Sequence, residues 1–268
     1  MKALTLIISL AFSVNSFSQT ATEFYNRGVN KFKLGDHRGA IADFNKAIEL
    51  DPKDAEAYLN RGVSKASSND YRGAIADFTK AIELNPMEVK AYNRRGWCKW
   101  FLSDLIGAIA DYTKAIDLDP KYESAYYNRG NSKASSNDHI GAIADYTKAI
   151  ELNPKGKWNY YNRGDSKASS NDHIGAIADY TKAIELNPKF ESAYLNRGNS
   201  KAKLHDHRGA IADFTKAIDL DPKDKWSYYK RGLSKIALKQ KESGCLDLSK
   251  AGELGIEHVY IEIKEHCQ

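Results

Sequence analysis

Cysteine, methionine and proline are scarce in this chain: three, two and six among 268 residues. So few cysteines exclude a small disulfide-framed fold and a cysteine-rich zinc module. Runs of one charge are missing as well. The 40 basic and 35 acidic residues are interspersed, which excludes a basic arm or an acidic tail and argues against nucleic acid as a partner. There is no Gly-x-Ser-x-Gly elbow and no glycine-rich phosphate loop, so the usual signatures of serine hydrolases and nucleotide binders are absent. A membrane-spanning helix needs about 20 apolar residues in a row, and no such run occurs.

The apolar stretch ALTLIISLAF (3–12) follows Lys2 and precedes the small residues Ser16 and Ser18. It reads as a secretory signal over residues 1–18, leaving Gln19 as the first mature residue. A membrane anchor is the alternative, but the run is too short, and no cysteine lies near the cleavage point to carry a lipid. No Asn-x-Ser/Thr acceptor occurs, which favours a bacterial periplasm over a eukaryotic secretory route. The expectation is an exported bacterial protein, periplasmic or secreted. Hydrophobic residues at 42% and charged residues at 28% suit a soluble folded chain.

What the chain has is a ruler. ASSNDHIGAIADYTKAIELNPK occupies 134–155 and recurs letter for letter at 168–189. All six prolines, Pro52, Pro86, Pro120, Pro154, Pro188 and Pro222, fall 34 residues apart. Gly28, Gly62, Gly96, Gly130, Gly164, Gly198 and Gly232 keep the same interval, as do Ala40, Ala74, Ala108, Ala142, Ala176 and Ala210. A fixed period without insertions predicts a stack of identical units, seven in number, over 21–54, 55–88, 89–122, 123–156, 157–190, 191–224 and a degenerate 225–258. Each unit reads as two helices. The first, helix A, takes the opening 14 positions. In the second, helix B, residues such as Ala142, Ile143, Tyr146, Ala149 and Ile150 form the i, i+3, i+4 stripe of an amphipathic helix. Asp36, Asp70, Asp104, Asp138, Asp172 and Asp206 sit where helix B needs an N-cap, worth about 1 kcal/mol each. The residue before each proline is driven out of helical angles and ends helix B. The small Gly130 and Ala142 allow the two helices to approach closely.

These residues carry a family resemblance. The 34-residue helix–turn–helix with Tyr126, Gly130, Ala142, Tyr146, Ala149 and Pro154 resembles a tetratricopeptide repeat. Equivalents run from Phe24, Gly28, Ala40, Phe44, Ala47 and Pro52 in the first unit to Tyr194, Gly198, Ala210, Phe214, Ala217 and Pro222 in the sixth. The seventh keeps Tyr228, Gly232 and Ala251 and has Gly244, Leu248 and Ile256 at the other places. The resemblance covers 21–258. It implies an all-α fold, a right-handed α-solenoid of tandem repeats whose concave groove is lined by helix A. The segment 259–268 is expected to be a short capping helix that closes the stack with Val259, Ile261 and Ile263.

Two slots depart from the family pattern. Arg27, Arg61, Arg95, Arg129, Arg163, Arg197 and Arg231 stand where a leucine is usual. Lys31, Lys65, Lys99, Lys133, Lys167, Lys201 and Lys235 stand where a large aromatic is usual. An antiparallel hairpin sets each arginine opposite Asp43, Asp77, Asp111, Asp145, Asp179, Asp213 or Asp247. The main expectation is a structural ion pair in every repeat; the alternative is exposed charge worth about 0–1 kcal/mol. The lysines are expected to lay their stems over the hairpin with the ammonium in water.

Chemistry that needs a non-repeating constellation is hard to find. His37, His139, His173 and His207 share one slot in different repeats, and stacked repeats lie about 10 Å apart at helix-packing distance, too far to share a metal whose bonds are near 2 Å. They read as solvated turn residues, and no metal, cofactor or catalytic function is expected. Cys98 lies within helix A of the third repeat and reads as a small packed thiol. Cys245 and Cys267 belong to adjacent terminal helices of an exported chain, and a disulfide is expected between them.

All four tryptophans fall on groove positions of helix A. The candidate partner-binding residues are Trp97, Trp100, Phe101, Tyr127, Trp158, Tyr161, Trp226 and Tyr229. Aromatic anchors dominate interface energetics, so a groove that binds a peptide or protein segment is the leading reading; rings packed between neighbouring helices A are the alternative. The third repeat alone joins Trp97, Trp100 and Phe101, where its neighbours have Asn131 or Asp165 and then Ala-Ser. The function expected is a non-catalytic protein–protein or peptide interaction scaffold outside the cytoplasm. The alternative is a structural or self-associating component of a cell-envelope assembly. The oligomeric state is open at this level.

Overall fold

A computed structural model describes residues 20–267. The signal expected over residues 1–18 lies outside them. Helix A and helix B alternate along the chain as α1 (Ala21–Lys33), α2 (His37–Leu50), α3 (Ala55–Ser67), α4 (Tyr71–Leu84), α5 (Val89–Phe101), α6 (Leu105–Leu118), α7 (Glu123–Ser135), α8 (His139–Leu152), α9 (Lys157–Ser169), α10 (His173–Leu186), α11 (Glu191–Lys203), α12 (His207–Leu220), α13 (Lys225–Ala237) and α14 (Lys241–Glu253). A last helix, α15 (Val259–His266), follows. Among the described residues the fold is all-helical, built of tandem helix–turn–helix repeats. Two compact parts are present, one ending at Pro86 and the other starting at Met87. The first holds α1–α4, the second α5–α15.

The caps follow the sequence. Asp36, Asp70, Asp104, Asp138, Asp172 and Asp206 each accept a hydrogen bond on the side chain from the glycine amide three residues on, at 2.8–2.9 Å. The residue just before the N-cap of each helix B is left-handed, with φ of 81° at Gly35 and 61–64° at Asn69, Ser103, Asn137, Asn171, His205 and Lys239, the last ahead of Gln240 in the seventh repeat. Asparagine tolerates this region, whereas other L-residues are strained in it. The repeat therefore holds this turn even where its side chain is ill suited.

Packing within each hairpin depends on close approach. Gly130 faces the Tyr146 ring so tightly that a Cβ on it would lie 2.8 Å from the ring edge. The same holds at Gly28 over Phe44 and Gly198 over Phe214. Small Ala142 and Ala149 flank the ring, and all three side chains are buried. In each hairpin of the first six repeats an aromatic ring of helix B thus fills the hollow left by a missing side chain on helix A.

Above this apolar layer lies a charged one. In all seven repeats the helix A arginine donates from Nε and Nη2 to the two carboxylate oxygens of the helix B aspartate, at 2.6–3.0 Å. The aspartates are buried. The lysine one helical turn beyond the arginine completes the arrangement: its Nζ lies 2.7–2.8 Å from the aspartate Oδ2. The expectation that these ammonium groups stay in water is therefore corrected. A buried carboxylate with two faces open attracts any cation in reach, and a residue four along the same helix is in reach. Each guanidinium also lies 4.8–5.8 Å from the centre of the aromatic ring three residues earlier. Its remaining nitrogen reaches back one repeat: Arg129 Nη1 donates to Thr113, Arg163 to Thr147, Arg197 to Thr181 and Arg231 to Thr215, at 3.0–3.1 Å. In the first part Arg61 donates likewise to Asn45 Oδ1 at 2.8 Å.

The C-terminal end closes differently. Cys245 on α14 and Cys267 are joined in a disulfide. Ile256 and Val259 are buried with Tyr229, Leu248 and Ala251, and Ile263 packs against them. Ile261 is 63% exposed, contrary to the expectation that it helps cover the stack. Residues 259 and 263 are four apart and share one face of α15, whereas 261 lies on the opposite side.

Three outcomes follow for stability. Replacing Arg129 by methionine leaves Asp145 buried with Lys133 alone and is expected to cost about 2–4 kcal/mol, while Lys133→Met costs about 1 kcal/mol; urea midpoints give both, and an unchanged midpoint for Arg129→Met would show the pair to be dispensable. Replacing His205 by glycine relieves left-handed strain and should add about 0.5–1 kcal/mol, read in the same experiment. Thiol titration of the oxidised chain under denaturant should find only Cys98, and changing Cys245 and Cys267 to serine should cost roughly 3 kcal/mol on the loop-entropy estimate.

Candidate functional site

Within the second part, helices α5, α7, α9, α11 and α13 touch not only their partners B but also the neighbouring helix A. Neighbouring helices B do not match that closeness, which places the A helices on the inner side of a curve. Their inward positions repeat in sequence, so the surface should be monotonous, and it is not.

On α5, Trp97, Trp100 and Phe101 stand at i, i+3 and i+4 and so share one face. The structure brings them together: Trp97 and Phe101 have ring centres 4.4 Å apart, and Phe101 meets Trp100 edge-on at 5.1 Å. Phe101 is 45% exposed. The Trp100 indole N–H donates to Ser135 Oγ on α7 at 3.4 Å, which orients its ring over the next repeat. In the seven repeats this slot otherwise holds Phe32, Ala66, Ala134, Ala168, Ala202 and Ile236.

A second aromatic group forms at α9. Trp158 meets Tyr161 edge-on at 5.8 Å, and Phe190 lies 4.7 Å from Trp158 and 4.8 Å from Tyr161. The Lys157 ammonium sits over both Trp158 and Phe190, at 5.6 and 5.3 Å. Trp158 remains exposed and Phe190 is buried. Phe190 escaped the sequence reading because it ends a loop, where an apolar residue has no period to betray it. Tyr161 and Tyr127 are half-buried: their hydroxyls accept from Asn196 and Asn162 of the following repeat, at 2.9 and 3.1 Å. They join repeats as well as lining the surface, as the alternative reading of these rings allowed.

Trp226 is exposed, 6.3 Å from Tyr229 and 6.2 Å from His258. Tyr229 is not available to a partner and is withdrawn as a candidate. It is 8% exposed, packs within the terminal core and donates from its hydroxyl to Glu262 Oε1 at 3.3 Å. The segment after α14 occupies the place that a further repeat would fill, and it covers this tyrosine.

The histidines also need correction. His37, His139, His173 and His207 are not turn residues but open helices α2, α8, α10 and α12. They are half-buried, and among the described residues each has a buried Nδ1 without a hydrogen-bond partner. Cys98 fills a slot that serine holds in five other repeats; it is buried, and desolvation pushes its thiol up to about 12, so it is unreactive near neutrality. Among the described residues the one grouping within metal-ligand reach is Glu262, Glu265 and His266, on the surface of α15.

Between α7 and α9 lies a cavity of about 340 Å³, lined by Trp100, Asn131, Ser135, His139, Tyr146 and Asp165 among others. Its floor is a hydrogen-bond network. Tyr146 donates to Asn131 Oδ1 at 2.7 Å and Asn162 Nδ2 to the same atom at 3.0 Å. One repeat on, Tyr180 and Asn196 donate to Asp165 Oδ1 at 2.6 and 2.9 Å. Burial pushes the Asp165 carboxyl above the usual carboxylate range, against the lowering pull of Tyr180, Asn196 and Tyr161.

Comparison with family models finds "TPR repeat" at residues 30–66, 103–137 and 164–205, and "Tetratricopeptide repeat" at 55–87, 124–155 and 192–224. Together they take in more than half of the chain. The chain belongs to the tetratricopeptide-repeat family. No curated protein matches the sequence. Among solved structures, the C-terminal part of a TPR repeat-containing protein from Cytophaga hutchinsonii is similar, with TM-score 0.73 and 19% identity, covering 86% of this chain and 95% of that one. A structure of MamA aligns with TM-score 0.58 and 28% identity over 60% of this chain and 95% of that one. YrrB, described as "a TPR protein with an unusual peptide-binding site", aligns with TM-score 0.63 and 24% identity over 70% of this chain and 97% of that one. Among the described residues of this tetratricopeptide-repeat protein no helix is long and apolar enough to cross a membrane.

Proposed function

We propose that this chain is a non-catalytic scaffold, acting outside the cytoplasm, that binds a protein or peptide segment on the surface formed by its A helices. The observation that carries this reading is the Trp97–Trp100–Phe101 group. Six repeats manage without a triple aromatic at these slots, so the packing of the array does not require one. Phe101 is exposed beside the half-buried Trp97 and Trp100; rings this close to the surface form an apolar patch of the kind that marks an interaction surface on soluble proteins, and aromatic anchors supply much of the energy at such surfaces. Trp158 and Trp226 extend the candidate surface, and Tyr127 and Tyr161 support it from below. The family fold supports the same role, as does the likeness to YrrB in fold. Export rests on the N-terminal sequence alone.

A second reading, a self-associating component of an envelope assembly, is favoured by a different feature. Ile106, Ile140 and Ile174 occupy one slot of three successive repeats, and all three are exposed. Arg38, Arg72 and Arg208 stand in that slot in three other repeats. Light scattering of the mature chain separates the readings: a monodisperse monomer supports the scaffold, and concentration-dependent assembly supports self-association.

Changing Trp97 and Trp100 to alanine should reduce capture of phage-displayed peptides and of envelope proteins at least tenfold, with the helical circular dichroism retained. Full capture by the folded double variant would remove the third repeat as the contact site.

A further inference from the structure

Position 9 of the repeat holds Val29, Val63, Trp97, Asn131, Asp165, Asn199 and Leu233. Asp165 is the one acid among them. It stands just ahead of the 22-residue segment copied between the fourth and fifth repeats, so an otherwise duplicated surface differs here by a charge. The helix B aspartates show how this chain treats a buried carboxylate: each has an arginine and a lysine. Asp165 has neither. Its donors are the Tyr180 hydroxyl and the Asn196 amide, with the Tyr161 hydroxyl close by, and all three are neutral. Among the described residues no cation lies within ion-pair distance of it.

The cavity beside it is complementary to a cation. Trp100 borders it with a ring held by Ser135, and an indole face attracts a cation within about 6 Å. Asp165 supplies the negative charge, and Ser135, Ser169 and Asn131 line the remainder. His139 is the only basic side chain on its wall. A second cavity on the other side of Asp165 has Lys203 in its lining, so a cation is opposed there and favoured on the Trp100 side.

We propose that the cavity between α7 and α9 receives the basic side chain of a bound peptide, its charge between the Trp100 ring and the Asp165 carboxylate. This rests on the scaffold reading and adds to it: the aromatic group of α5 anchors apolar residues, and the pocket one repeat further selects for arginine or lysine. A partner segment would then carry an aromatic or aliphatic residue followed, at a set interval, by a basic one.

The test is a titration of the full mature chain with N-acetyl-argininamide, read by NMR at the Trp100 indole and the Asn196 side-chain amide. The neutral isostere N-acetyl-citrullinamide serves as control. Saturable shifts at both signals with the arginine probe, at least tenfold weaker with the citrulline probe and with Asp165→Asn, are expected. Asp165→Asn places the residue that the adjacent repeats already have, so folding is preserved. Equal responses to the two probes, an unaffected variant, or no saturable shift would each overturn the proposal. Selection of displayed random peptides tests the scaffold reading separately. Peptides captured without an arginine or lysine preference that Asp165→Asn removes would leave the scaffold standing and sink the pocket, while no captured peptide with intact arginine shifts would do the reverse.

Discussion

The aspartate in the middle of helix B is the point on which each repeat turns. It is buried, and a buried carboxylate is costly unless its charge and lone pairs are met. One arginine meets it with two parallel bonds and one lysine adds a third, and in five of the seven repeats the arginine's last nitrogen ties the hairpin to the repeat before. A single charged group thereby joins the two helices of every repeat, and in those five it also links the repeat to the one before. Many tetratricopeptide repeats use a leucine and an aromatic at these two slots of helix A. Here a charged network takes their place, and the apolar packing is confined to the layer beneath, where Gly130 and Tyr146 or their equivalents interlock.

That division explains why the array tolerates copying. Each repeat brings its own counter-ions and its own left-handed turn, and the first six bring their own aspartate cap, so adding a repeat leaves no charged group unpaired. The C-terminal end is handled by a departure from the pattern: proline gives way to Ile256, and α15 lays Val259 and Ile263 across the last hairpin under a disulfide.

Against so regular a frame, the irregular residues stand out as candidates for function. Three of them, Trp97, Trp100 and Phe101, gather on one helix; a fourth, Asp165, lies across a cavity from Trp100. The frame accounts for none of the four. Tyr127 and Tyr161 show the opposite case, groove residues whose hydroxyls also join repeats through asparagines, where lining and stacking are one role.

The 34-residue period, the helix pairs, the caps and the Arg–Asp pairing were all legible in the sequence, because each is a local pattern repeated at fixed spacing, and the hairpin geometry sets position 7 against position 23 in every copy. The meeting of Trp97, Trp100 and Phe101 was legible too, since i, i+3 and i+4 share a helix face. What sequence spacing missed is what depends on a neighbour from elsewhere. The lysines bind the aspartate because its Oδ2, which also accepts from the arginine Nε, still faces the next turn of helix A, a matter of side-chain orientation. Tyr229 is covered because the tail folds back over it. Ile261 is the exception, an outward residue that local spacing alone gives away, since in the helix expected for the tail residues two apart do not share a face. Phe190 joins the α9 rings only through the loop that carries it. Periodicity reports which residues share an element; which partner fills the remaining space is decided by packing in three dimensions.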